Sequence, residues 1–321
     1  MLTRFWVKNF KSLRDVALDF PTKLTIVVGP SGSGKTALAE AFLLLSASAG
    51  GHTPWRGALR GVSVGTAVGV EIGHKSVATY EVRIGETIQN DFKIHCPQVD
   101  AGGPKSLDML SGVVGAAYGF LIRGIAVILG IDWKAVRSPQ PPSIQTRLLP
   151  DASNFVPYLY TVTKGNIPES LVEAVRYVFP DVRGMRFEEK GGNLLLKLAA
   201  ANGVELDQTN MPAGVLKTLI VEAVLRANPA LLIIDEFENS LHPEAQQFII
   251  DEIRNRDIYA VLMTHSTVTL DYAKTPNEIV LLRLENGETK ARRLGKEAEE
   301  KLKKSRLTLS ELIASGLLEE V

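Results

Sequence analysis

One run of the chain carries the clearest chemistry: Gly29-Pro30-Ser31-Gly32-Ser33-Gly34-Lys35-Thr36. It fits GxxxxGK[ST] at every position, the pattern of a loop that cradles phosphate. Glycines let successive backbone N–H groups turn toward phosphate oxygens, and the positive end of a following helix adds to the field. Lys35 is placed for the β- and γ-phosphates of a nucleotide, and Thr36 offers a hydroxyl to Mg²⁺. A second stretch supplies carboxylates. Leu231, Leu232, Ile233 and Ile234 form a continuous apolar run with Asp235 and Glu236 directly after it, where chemistry gathers in open α/β sheets. Asp235 suits the metal ion, and Glu236 is suited to polarise a water attacking the γ-phosphate. Alone, an apolar strand capped by Asp-Glu is a modest signal, with Glu236 as an exposed loop carboxylate the lesser reading, and the phosphate loop upstream is what makes the pair a site. His265, in Thr264-His265-Ser266, ends another apolar run. It could reach the γ-phosphate from the side, although a histidine at a strand end is often only a satisfied polar residue.

Apolar runs fix the elements that must position these groups. Residues 24–28 and 231–234 read as strands buried on both faces of a parallel sheet, and 36–45 as the helix that a phosphate loop requires. Two strands, 2–7 and 16–20, precede the loop across a turn at 8–13. Residues 65–73, 76–84 and 87–95 are short β-type runs, which predicts an antiparallel meander. Residues 109–131 hold one charge, Arg123, and five glycines. By length this run could span a bilayer, but the glycines and the central arginine predict one or two buried helices, with Leu121, Ile122, Val127 and Ile128 inside. Helical spacing recurs at 169–179, 215–227 and 244–255. Residues 185–189 and 193–199 bracket Gly191-Gly192 as a hairpin. Residues 259–263 read as a buried strand, and 279–284 and 288–294 as edge strands before a closing helix. The expected architecture is α/β, with a mixed central sheet flanked by helices, an antiparallel meander and an inserted, mostly helical lid. Its divisions are 1–104, 105–200 and 201–321, the first and last forming one head.

Composition bounds the rest. At 45% apolar and 22% charged residues, the 321-residue chain is of globular type. Its formal charge is zero, so no bulk attraction to nucleic acid or an anionic membrane follows. Residues 1–60 carry eight Lys/Arg against three Asp/Glu, and 283–306 nine against five. The second excess reads as a solvated helix with Glu297/Lys301, Glu299/Lys303 and Glu300/Lys304 at i,i+4. The single cysteine, Cys96, excludes an intrachain disulfide. Lys8 and Asn9 interrupt the first apolar stretch, which does not read as a signal peptide, and a cytoplasmic setting without a membrane partner is expected.

Taken together, Asn9-Phe10-Lys11-Ser12, the phosphate loop, residues 231–236, Ser240-Leu241-His242-Pro243 and Thr264-His265-Ser266 resemble ABC-type ATPases of the SMC and RecF kind. Closer still is the likeness to short "AAA family" ATPases that lack a long coiled coil. The likeness extends to Asp151-Ala152-Ser153-Asn154-Phe155 and to the Gly316-Leu317-Leu318-Glu319 tail. It implies a P-loop NTPase fold, Mg-dependent ATP hydrolysis, and a homodimer closed around two ATP molecules. It also implies a DNA-related role in repair, maintenance or defence against foreign DNA, with DNA or a DNA-processing protein as a possible partner. Lys11 joins the implied nucleotide-binding set, and Gln98 is the candidate for a metal-facing glutamine. The resembled family places Ser-x-Gly before the Asp-Glu strand, whereas this chain has Pro212-Ala213-Gly214. Proline fits a first helical turn but lacks the hydroxyl, which leaves Gly214 to meet the partner's ATP and Asn210 or Lys217 as alternative contacts. A non-hydrolysing ATP switch is a second reading. A transporter nucleotide-binding subunit is a third, disfavoured by the long lid and the altered signature.

Overall fold

The computed structural model describes residues 1–49, 62–73, 77–84, 88–95, 115, 117, 119–305 and 307–315. Cys96, Gln98 and the 316–319 tail lie outside the described residues. In chain order the strands and helices are β1 (Leu2–Phe10), β2 (Leu13–Asp19), β3 (Leu24–Val28), α1 (Lys35–Ala49), β4 (Val62–Gly73), β5 (Val77–Ile84), β6 (Ile88–His95) and β7 (Ile125–Ile128). Next come α2 (Trp133–Arg137), α3 (Phe155–Val162), α4 (Glu169–Arg176), β8 (Val182–Lys190), β9 (Asn193–Ala200), β10 (Glu205–Asp207), α5 (Ala213–Arg226) and β11 (Leu231–Ile234). The chain closes with α6 (Pro243–Arg254), β12 (Tyr259–Thr264), α7 (Thr267–Leu270), β13 (Ile279–Glu285), β14 (Glu288–Arg293), α8 (Lys296–Ser305) and α9 (Leu309–Ala314). They fall into two compact units, one of residues 1–125, 230–235 and 258–321, the other of 126–229 and 236–257.

The first unit holds two sheets. The meander runs β2-β1-β4-β5-β6, antiparallel throughout. Phe5, Val7 and Phe10 of β1 are fully buried, and Phe5 stacks on Phe42 of α1 with ring centroids 3.8 Å apart. That contact ties the meander to the helix carrying the phosphate loop. The second sheet places β14, β13, β3, β12 and β11 side by side. Of these β13, β3, β12 and β11 are parallel, with Ile26 opposite Leu262 and Ile234 also opposite Leu262. Four consecutive residues of β11 have no exposed surface, the burial that a continuous apolar run requires. Parallel pairing brings the carboxyl ends of β3, β11 and β12 to one edge.

Two sequence expectations are corrected. The glycine-flanked second half of residues 109–131 is not helical: helical residues 119–123 end at Gly124, and Ile125–Ile128 is a strand. A short apolar run has no period that separates strand from buried helix, and only its β-branched content points to β. Ile122 is accordingly exposed and Leu121 half-buried, while Val127 and Ile128 are buried in the strand. Strand β13 is no edge, since it pairs with β3 on one side and β14 on the other. Among the described residues no helix is long and apolar enough to cross a membrane.

The second unit packs helices α2 to α6 with a small sheet ordered β10-β9-β8. Its β8–β9 hairpin turns at Gly191-Gly192, both at positive φ, which matches the twist of the flanking strands. Asn154, from the stretch at 151–155, accepts from the Leu149 amide and donates to the Arg147 carbonyl, fastening the loop before α3.

Helix α5 is buried from Val215 through Leu225, Lys217 and Glu222 included. Burial pushes the Glu222 carboxyl up to about 7, with Arg256 opposing the rise. A folded-state pKa above the unfolded one favours the neutral acid. Stability is therefore fully present below about pH 4.5 and declines until pH passes about 7, by roughly 3 kcal/mol in all. Glu222→Gln is expected to raise the thermal midpoint clearly at pH 8 and little at pH 5. Equal shifts at both pH values would contradict that titration.

Candidate nucleotide site

Each unit carries its own group of candidate residues. In the first, the loop from Gly29 to Thr36 joins β3 to α1. Gly34 has φ of +101°, and a Cβ there would lie 2.2 Å from the Thr289 hydroxyl, so only glycine fits. Thr289 was not evident from the sequence. Its buried hydroxyl donates to the Ser33 carbonyl at 3.0 Å and lies 2.7 Å from the Ser12 hydroxyl, while its amide donates to the Ser12 carbonyl. One edge-strand threonine thus clamps the phosphate loop to the β1–β2 turn. Nothing in the local pattern of a strand distinguishes it.

Lys35 Nζ donates to the carbonyls of Gly29 at 2.6 Å and Pro30 at 3.0 Å, which folds its ammonium over its own loop. The Thr36 hydroxyl donates to Asp235 Oδ2 at 2.8 Å. Asp235, 6% exposed, follows the last residue of β11. These neighbouring hard oxygens are a donor pair that suits Mg²⁺. The Ser33 hydroxyl is buried without a hydrogen-bond partner, an orphan group in a loop built for an anion. Lys11, at φ +52°, pairs its ammonium with Glu40 of α1. His265 follows β12 and is exposed, and the Thr264 hydroxyl accepts from the Ser266 amide, turning the chain there. The structure therefore brings the phosphate loop, Asp235 and His265 to the carboxyl edge of one sheet. Gln98 lies outside the described residues.

The second unit carries Glu236 and the start of α5. Glu236 has φ of +49°, a sparsely populated conformation for a residue with a side chain, which persists only where the surroundings impose it. Its carboxylate accepts from Asn239 Nδ2 at 2.7 Å. The loop beyond it is held from beneath by Lys217, 3% exposed, whose ammonium donates to the carbonyls of Glu236 and Asn239, both at 2.7 Å. Lys217 is therefore corrected as an alternative phosphate contact: it is a buried anchor of the Glu236 loop. A lysine amid the apolar Val215, Leu216 and Leu219 was the signal for such a role. Asn210 is exposed and donates to Asp207. A Cβ on Gly214 would lie 2.8 Å from the Ser240 carbonyl, so close backbone approach demands that glycine. Pro212 sits as the residue before α5 with no side-chain cap.

A phosphate loop, an Asp-Glu strand and a strand ending in histidine, on a mixed sheet beside an antiparallel meander, define an ABC-type ATPase head. Comparison with known proteins finds likenesses to SMC- and RecF-type proteins. A family model described as an AAA domain matches residues 6–102. A second, described as "AAA domain, putative AbiEii toxin, Type IV TA system", matches residues 160–271. Over 44 residues the chain is 48% identical to the DNA replication and repair protein RecF of Psychromonas ingrahamii, a match covering 14% of this chain and 12% of that protein. It is 43% identical over 44 residues to the chromosome partition protein Smc of Methanocaldococcus jannaschii, covering 14% and 4%. The matched segment is thus a small part of either relative. Among solved structures, an Smc head bound to the C-winged helix domain of ScpA matches with a TM-score of 0.61 at 16% identity, covering 93% of this chain and 99% of that one. A Pyrococcus furiosus Smc head with an extended coiled coil, bound to the C-terminal domain of ScpA, also matches at 0.61, with 13% identity and coverage of 95% and 99%. At such identities the likeness concerns the fold, which is that of the Smc head.

Proposed function

We propose that the chain binds ATP with Mg²⁺, hydrolyses it to ADP and phosphate, and uses the ATP state to hold two copies together. The observation that carries this reading is the Thr36–Asp235 hydrogen bond at the mouth of the phosphate loop, which joins the two motifs that the chemistry needs. Loop amides receive the phosphate oxygens, and Lys35 exchanges the carbonyls of Gly29 and Pro30 for them. Mg²⁺ held by Thr36 and Asp235 would neutralise charge on the β- and γ-phosphate oxygens. Glu236 takes the proton of the attacking water, with Asn239 orienting its carboxylate and Lys217 fixing its loop. His265 donates to the γ-phosphate from the end of β12, and Gly214 with the start of α5 meets the ATP of the second copy. Lys11 joins the binding set by exchanging Glu40 for phosphate, and Gln98 completes the metal surroundings.

RecF and Smc are named for DNA replication and repair and for chromosome partition. By that likeness the cycle serves DNA maintenance or defence in the cytoplasm, with DNA or a DNA-processing protein as partner. The Smc heads bound to ScpA make a protein partner equally apt. Pro212 in place of a serine favours a second reading, an ATP switch that does not hydrolyse. Phosphate release measured with ATP, with and without Mg²⁺ and with DNA added, separates the two. Turnover that disappears on chelation supports the ATPase. Tight ATP binding without turnover at any protein concentration leaves the switch.

A further inference from the structure

We propose that the second unit carries an additional ligand site, a pocket that takes a nucleobase and is built from none of the phosphate-loop residues. A pocket of about 500 Å³ is lined by residues of α4, α5 and α6 and by the chain just beyond α4 and α6, a size suited to a small ligand. Tyr177 and Phe248 line it, their rings stacked with centroids 4.2 Å apart and planes 21° apart. Tyr177 is 57% exposed, so its stack is open to a further flat ring.

Polar groups in the same lining are unsatisfied. Glu222 is 4% exposed and lies 3.7 Å from the Arg256 guanidinium, Arg256 also pairs with Glu252, and Arg226 donates to the Ser170 hydroxyl, yet Glu222 Oε1 and the Nε groups of Arg226 and Arg256 are buried without a hydrogen-bond partner. Buried polar groups without partners are rare in folded proteins. A lining that holds one unpaired acceptor and two unpaired donors suits the edge of a nucleobase, which presents donors and acceptors in one plane. Arg176, at the rim and 2.9 Å from the exposed Glu169, offers a cation to the attached phosphate. The lining holds three arginines against Glu173, Glu222 and Glu252. Burial raises the Glu222 carboxyl to about 7, so near neutrality the same group can accept from a base edge or donate to it.

The base could belong to a free nucleotide or to an unpaired strand. Calorimetric titration of the Lys35→Ala chain, whose phosphate loop is disabled, with AMP, GMP, CMP, UMP, a short single-stranded oligonucleotide and its duplex tests the site. At least one nucleotide or the single strand is expected to bind. Tyr177→Ala is expected to weaken that binding about tenfold or more through lost stacking, Tyr177→Phe to preserve it, and Glu222→Gln to change which base is preferred. Mononucleotide binding alone identifies a free nucleotide, and tighter single-strand binding identifies an unpaired base. No binding at millimolar ligand, duplex binding equal to single strand, indifference to Tyr177→Ala, or preference for an arginine-rich peptide would overturn the proposal. ATP turnover by the unaltered chain is a separate readout, so failure here leaves the ATPase reading standing.

Discussion

Lys35→Ala is expected to lower ATP affinity by about 100-fold or more while leaving the fold intact. The ammonium of Lys35 already lies over the loop, 2.6 Å from the Gly29 carbonyl and 3.0 Å from that of Pro30. Phosphate oxygens replace those acceptors with charged ones, and charge-assisted hydrogen bonds are roughly twice as strong as neutral ones. Truncating one partner of such a pair costs about 2–5 kcal/mol, where every 1.4 kcal/mol is about tenfold in affinity. Alanine leaves the loop amides, Thr36 and Asp235 in place, so the loss reports the cation. Calorimetry measures it, and circular dichroism checks that the loop and α1 survive. Affinity unchanged from the parent chain would remove residues 29–36 as the nucleotide site.

How much of this could be read beforehand depends on how local each signal is. The phosphate loop, β11 and the helix read at 215–227 were legible because their patterns are contiguous: eight matched positions, an apolar run, a long helical period. The meander was legible from short β-type runs separated by turn residues. What could not be read is non-local. Thr289 lies far from Ser12 and Ser33 in the chain, yet contacts both. Strand β13 looked peripheral because its apolar residues end in Arg283 and Glu285, and only pairing with β3 makes it internal. Ile125–Ile128 fell within an apolar run whose period is uninformative, so it read as helix. Lys217 and Gly214 were visible as residues, but their work on the backbone of the Glu236 loop requires a long-range approach that no spacing announces. That loop also explains an apparent defect. Gly214 is demanded by the Ser240 carbonyl whatever stands at position 212, so glycine there has a structural reason independent of any second copy.

Replacing Glu236 by glutamine is expected to slow ATP hydrolysis by about 100- to 10,000-fold, the range for loss of a general base, without lowering ATP affinity. The substitution is conservative in the ways that matter for shape. Glutamine keeps one carbonyl oxygen to accept from Asn239 Nδ2 in place of the carboxylate oxygen that now does so at 2.7 Å. The backbone at φ +49° stays under the same constraint, because Lys217 grips the Glu236 carbonyl and not the side chain. What disappears is the ability to take a proton from water. Lys35, Thr36 and Asp235 would still hold Mg-ATP, so the ATP state should accumulate instead of being consumed. If ATP joins two copies, the variant should be monomeric without nucleotide or with ADP and dimeric with Mg-ATP, since a ligand shifts an equilibrium only by its different affinity for the two states. With Pro212 where the resembled family has serine, no hydroxyl is offered to a partner's γ-phosphate, which would weaken such a dimer without changing the sign of the effect. Light scattering with ATP and with ADP reads the state directly. A monomer under both conditions places the nucleotide switch elsewhere, and undiminished hydrolysis removes Glu236 as the base.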